Sequence, residues 1–202
     1  MKLNLPTKIT LLRILMIPIF VAVFYIQAIP YRFAISAGIF LLAAATDALD
    51  GYLARSRNMV TNLGKFLDPI ADKVLVSTAM ILLLTEPSSF FAAFGSAANG
   101  VYIAVAVCIC LIMARELIIS AFRQIAATAG VVMAADKLGK FKTIFQDVSI
   151  VAFLVGGAFW NDAFGVVVLY IALVLFIIAT VLTVWSGISY VLNNRSVLKD
   201  AN

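Results

Sequence analysis

The sequence contains no histidine. That absence removes imidazole as nucleophile, general base and metal ligand together. Charge is scarce as well: Asp, Glu, Lys and Arg make up 12% of the 202 residues, whereas soluble domains carry about 25%. Cysteine is limited to Cys108 and Cys110, two apart in an apolar run. Helical residues at that spacing do not face each other, which argues against a disulfide or a shared metal site and leaves both as packing residues. No internal repeat, low-complexity segment or long polar linker interrupts the chain, so residues 1–202 read as one domain.

What is present is apolar. Hydrophobic residues account for 64% of the chain, more than a water-soluble core absorbs, so the expected solvent is lipid. The net charge is +5. In a soluble protein such an excess can indicate nucleic acid. Here the basic residues sit at the ends of apolar segments, which favours a membrane and no nucleic acid. Lys2, Lys8 and Arg13 precede an apolar run over residues 14–26, as in a secretory signal. The bulky Pro30-Tyr31-Arg32 that follows is not a small-residue cleavage site, and the run reads as a retained first span.

A helix crossing the bilayer needs about 20 mostly apolar residues. Six such segments are expected, at residues 10–27, 33–55, 66–85, 100–123, 143–160 and 164–191, giving an all-α integral membrane bundle of six transmembrane helices. With that count Lys2, Lys8, Arg13, Arg55, Arg57, Lys65, Arg115, Arg123, Lys137, Lys140, Lys142, Arg195 and Lys199 share one side, and Arg32 stands on the other. The positive-inside rule then puts both termini in the cytoplasm. Phe90, Phe91 and Phe94, between the third and fourth spans, are expected at the membrane interface.

Against this background four carboxylates stand out. Asp47 and Asp50 end the second span and Asp68 and Asp72 begin the third. Charges inside spans are costly and usually functional. Spacings of three and four put each pair on one helix face, and a short connection lets all four meet near cytoplasmic water. Four ionised carboxylates together require neutralising cations. All-oxygen ligation suits Mg²⁺, Mn²⁺ or Ca²⁺, not zinc, and two Mg²⁺ ions suit a phosphoryl displacement. Helix caps or ion pairs account for one or two of these aspartates more readily than for all four. Gly51, Ala54 and Gly64 permit close approach of a ligand or of a neighbouring backbone. Arg55 is suited to bidentate phosphate contact or to anchoring the span end.

Together these positions read Asp47-x2-Asp50-Gly51-x2-Ala54-Arg55-x8-Gly64-x3-Asp68-x3-Asp72. The pattern resembles the signature of the CDP-alcohol phosphotransferase family at every specified position. At average residue usage such a match arises on the order of once in 10^10 starts. The resemblance implies attack on the β-phosphorus of a CDP-linked alcohol with release of CMP. It implies that Asp47, Asp50, Asp68 and Asp72 hold two ions, Mg²⁺ or Mn²⁺, and that Asp72 also takes the proton from the acceptor hydroxyl. It further implies that Gly51, Ala54 and Gly64 admit the cytidine nucleotide, that Arg55 contacts its phosphates, and that the protein is a homodimer. Thr10 and Arg13, one helical turn apart, are candidates to touch the same CDP-lipid or to anchor the first span.

Shorter patterns bear on the acceptor: Asn4-Leu5-Pro6-Thr7-Lys8-Ile9-Thr10-Leu11-Leu12-Arg13, Ala114-Arg115-Glu116, Arg123, and Gly139-Lys140-Phe141-Lys142-Thr143. They resemble the bacterial branch of the family that joins CDP-diacylglycerol to glycerol 3-phosphate, which implies a bacterial inner membrane with the active site facing the cytoplasm. Charge agrees with that resemblance. A dianionic acceptor brought near four aspartates and a diphosphate needs compensating cations, and Arg115, Arg123, Lys140 and Lys142 stand on the aspartate side. Those four are equally placed to act as topology determinants, and Arg115 to pair with Glu116. Inositol phosphate, serine and phosphatidylglycerol are the alternative acceptors. A cation transporter is the alternative from another class; it predicts mid-bilayer acids on broken helices and internal symmetry. A structural membrane subunit does not require four acids in register.

Overall fold

A computed structural model describes residues 4–56, 62–128 and 137–194. Among them the chain is helical throughout: α1 Leu5–Tyr25, α2 Arg32–Ser56, α3 Asn62–Thr85, the short α4 Pro87–Phe90, a 3₁₀ segment Ala92–Ala97, α5 Ala98–Thr128, α6 Lys137–Ala158 and α7 Ala163–Asn193. Every segment expected to span falls on one of the six long helices. Four stretches are long and apolar enough to cross a bilayer: Thr7–Tyr25, Ala92–Ala126, Phe141–Ala158 and Ala163–Asn193. The apolar part of α2 is shorter, Arg32–Thr46. These helices make the chain a multi-pass membrane protein, and lipid-facing residues such as Leu42, Leu117, Val181 and Trp185 are exposed on the surface of the bundle.

The helix limits follow from local chemistry. Pro6 opens α1, where its missing N–H costs nothing. Pro18 and Pro69 lie inside α1 and α3. Membrane helices tolerate such prolines because neighbouring helices supply substitute partners. The α1–α2 turn is closed by Tyr31 in the left-handed region, at φ 53°.

Packing departs from a simple α2–α3 hairpin. α1 lies along both α2 and α3, and those two touch each other over a shorter stretch. α6 and α7 form the most extensive pair. Their approach depends on glycine: a Cβ on Gly156 of α6 would fall 2.8 Å from Leu169 Cγ of α7, and one on Gly165 would meet the Phe159 carbonyl, while one on Gly157 would meet the Phe90 ring of α4.

At the end of the bundle far from the aspartates, rings fill the core. Phe33 lies 4.9 Å from both Phe24 and Phe90, and Phe91 packs edge-on against Tyr102 at 5.4 Å. Phe90, Phe91 and Phe94 are buried, so their rings pack inside the bundle instead of standing exposed. α4 and the 3₁₀ segment fold the loop back onto the bundle, so its rings gain more dispersion contact inside than among headgroups. Beside them Arg32 pairs with Glu86 at 3.0 Å and Tyr25 donates to the Thr85 hydroxyl at 3.0 Å.

Candidate active site

The opposite end carries the polar side chains. Asp68 and Asp72 are one turn apart on α3 and half-buried. The Thr10 hydroxyl, from α1, donates to Asp68 Oδ1 at 2.6 Å. One turn further along α1, Arg13 Nε donates to Thr46 Oγ1 at 3.2 Å. Thr46 in turn donates to the Ala43 carbonyl at 2.6 Å and directly precedes Asp47 in α2. Thr10 and Arg13 are fully enclosed. Both therefore brace α3 and α2 from inside the bundle. Gly64, at the start of α3, is buried.

The backbones of Asp47, Asp50, Gly51, Ala54 and Arg55 lie in α2, and that of Lys140 in α6. Their side chains lie outside the described residues. Among the described side chains no three acidic or thiol groups gather as a metal site. The donor chemistry nevertheless fits a hard cation. Asp68 and Asp72 offer oxygen only, and a buried hydroxyl orients Asp68 as outer-shell partners orient metal ligands.

The second half of the site comes from α5, α6 and α7. Lys142 is buried, and its ammonium donates to Glu116 Oε1. Arg115 Nη1 reaches the same oxygen at 3.2 Å, and its Nη2 donates to Ser186 Oγ of α7 at 3.1 Å. Gly187 makes room for that arginine, since a Cβ there would lie 2.8 Å from Arg115 Cγ. Arg123, two turns along α5, is exposed. It donates to the Tyr190 hydroxyl at 3.2 Å, with its guanidinium 5.3 Å from that ring's centre. Asp72 lies within electrostatic reach of Lys142 and of its own neighbour Lys73.

Lys73, next to Asp72 in sequence, leaves the α3 carboxylate face and points to α5, where it donates to Ser120 Oγ close to Arg115 and Arg123. Its spacing from Asp72 carried no signal, because the partner lies 47 residues away. Glu116 was visible in sequence only as a neighbour of Arg115. Its pairing with Lys142 spans 26 residues and needed the fold. Asp147, also near Lys142, was likewise not singled out.

The structure thus joins Thr10 to Asp68 across α1 and α3 and Arg13 to Thr46 across α1 and α2, with Asp72 one turn further along α3. It also gathers Arg115 and Lys142, with Arg123 further along α5, on the adjoining face of the same polar end. A family model described as CDP-alcohol phosphatidyltransferase matches residues 3–185. The chain belongs to the CDP-alcohol phosphatidyltransferase family. Curated relatives from Shigella flexneri serotype 5b and Escherichia coli K12 are each 39% identical over 202 residues, and one from Salmonella paratyphi A is 39% identical over 204. Each alignment covers 99% of this chain and 100% of the relative. All three relatives are named CDP-diacylglycerol–glycerol-3-phosphate 3-phosphatidyltransferase. Family membership accounts for the eight-position aspartate pattern running from the end of α2 into α3.

Proposed function

We propose that this chain transfers the phosphatidyl group of CDP-diacylglycerol to glycerol 3-phosphate, giving phosphatidylglycerophosphate and CMP. The observation that carries the acceptor is the buried Lys142, held with Arg115 beside Asp72. Cations kept inside an apolar bundle next to a carboxylate suit an acceptor that brings its own anionic group. Full-length identity to relatives bearing that activity's name supports the same reading.

In the proposed reaction Arg115 and Lys142, with Lys140 and Arg123 nearby in sequence, hold the acceptor phosphate. Asp72 takes the proton of the acceptor hydroxyl as its oxygen bonds to the β-phosphorus of the CDP-lipid. The bond from that phosphorus to the CMP oxygen breaks, and CMP leaves with the electron pair. Gly51, Ala54 and Gly64 leave room for the nucleotide, and Arg55 binds its phosphates. Thr10 and Arg13 contribute from beneath, by steadying Asp68 and the end of α2. Asp47, Asp50, Asp68 and Asp72 would hold Mg²⁺ or Mn²⁺, which when bound offsets the charge of the diphosphate.

The remaining parts of the reading are topological. Six helices span the bacterial inner membrane, both termini and the active site face the cytoplasm, and the working unit is a homodimer. The one-sided Lys and Arg distribution supports the orientation.

Purified protein supplied with CDP-diacylglycerol and a panel of glycerol 3-phosphate, inositol phosphate, serine and phosphatidylglycerol tests the function. CMP release and product mass identify the reaction. Phosphatidylglycerophosphate should dominate, and excess EDTA should abolish turnover. Preference for an unphosphorylated acceptor overturns the substrate assignment, and undiminished turnover in EDTA overturns the metal.

A further inference from the structure

Glu116 lies outside the aspartate pattern and has no part in the reaction as written above, yet four helices connect through it. Its Oε1 accepts from Lys142 of α6 and from Arg115 of α5, and Arg115 continues to Ser186 of α7. Its main-chain oxygen accepts from Ser120 Oγ at 2.5 Å, and Ser120 in turn accepts from Lys73 of α3. The Lys142 side chain is only 7% exposed, whereas Glu116 is 27% exposed. An ammonium so enclosed needs an anion. Asp72 and Asp147 are both near enough to attract it, but the direct pair is with Glu116. Without Glu116, Lys142 has Asp72 as a competing partner.

We propose that Glu116 is a positioning residue for the acceptor site: it holds Lys142 and Arg115 together as a phosphate-binding pair and keeps Lys142 from closing onto Asp72. This rests on the acceptor assigned above, and the test separates the two ideas. Wild-type turnover with glycerol 3-phosphate is measured first; its absence overturns the acceptor reading itself. Given that turnover, Glu116→Gln should raise the KM for glycerol 3-phosphate about 10-fold, the loss expected for one charge-assisted contact. The KM for CDP-diacylglycerol should move far less, and Glu116→Asp, which keeps the charge, should recover part of the loss. Because Glu116 acts in part through Lys142, adding Glu116→Gln to Lys142→Gln should raise the KM for glycerol 3-phosphate by clearly less than the rise expected of Glu116→Gln alone. That double variant leaves neither charge of the pair buried, so it serves even if Glu116→Gln does not fold. An unchanged or lowered KM for glycerol 3-phosphate in Glu116→Gln overturns the proposal. So does an equal rise in both KM values, or a double variant whose KM exceeds that of Lys142→Gln by the full single effect.

Discussion

At the aromatic end of the bundle Arg32 meets Glu86 one to one, whereas at the aspartate end a single Glu116 oxygen serves both Arg115 and Lys142. The first arrangement is closed. Arg32 also covers the Phe33 ring at 4.5 Å, and that ring packs on Phe24 and Phe90. The second is shared: one carboxylate oxygen takes two cations, and serines carry the contacts on to α3 and α7. Lys73, Arg115 and Lys142 crowd together, with Asp72 and Asp147 close by. Like charges gathered in an apolar bundle cost free energy that packing elsewhere must offset. The aromatic end supplies that packing, and the polar end keeps the charges that the proposed acceptor phosphate and metal would use. A substitution at one end should therefore change stability and leave kinetics alone, and one at the other should do the reverse.

The strongest test of this division is Asp68→Asn. Loss of a metal ligand should reduce CMP release by at least about 100-fold, above the 10–100-fold typical of losing an outer-shell partner. The thermal midpoint should hold or rise slightly, since a buried charge is removed. Asp50→Asn should behave alike. A fully active variant breaks the assignment of the polar end.

Next come the acceptor cations. Lys142→Ala and Lys140→Ala should raise the KM for glycerol 3-phosphate by about 10- to 100-fold, with a smaller change for CDP-diacylglycerol. Asp72→Asn should instead lower kcat with smaller effects on either KM. Steady-state kinetics over both substrates separates the two patterns, and a shared pattern would merge roles kept apart here.

Gly157→Ala probes the aromatic end. The added methyl meets the Phe90 ring, and overpacking of this kind costs about 1–3 kcal/mol. Thermal or denaturant unfolding in detergent should show the loss, while both KM values stay put. A shift in KM without a stability loss would mean the two ends are coupled.

Thr10→Val sharpens the comparison from the other side. It keeps the shape of a buried side chain but removes the donor to Asp68. Turnover should fall about 10-fold, in the range for an outer-shell partner. The smallest effect belongs to Glu86→Gln, which weakens a partly exposed pair and should lower stability by about 1 kcal/mol or less, with kinetics unchanged.

Much of this was legible before any coordinates. Asp68 and Asp72 share a face because their spacing matches a helical turn, and that rule is local. The six long helices fall between breaks such as Glu86-Pro87, and four of them are long and apolar enough to cross a bilayer. The inward packing of Phe90, Phe91 and Phe94 was not legible, because an aromatic loop between spans reads the same whether its rings are exposed or folded inward. Thr10 and Arg13 were placed near the nucleotide, and their burial against Asp68 and Thr46 gives them a bracing position that spacing within α1 does not reveal.

The sequence by itself determined the apolar helices and the family pattern. Those properties follow from periodicity, hydropathy and residue type, each read within a few turns of one helix. Tertiary structure alone decided that α1 runs along both α2 and α3, that Lys73 turns to Ser120, and that Glu116 binds Lys142. Each of these joins residues far apart in the chain. Which partner a buried cation takes depends on the anion its neighbouring helix brings within reach, and helix packing sets that choice.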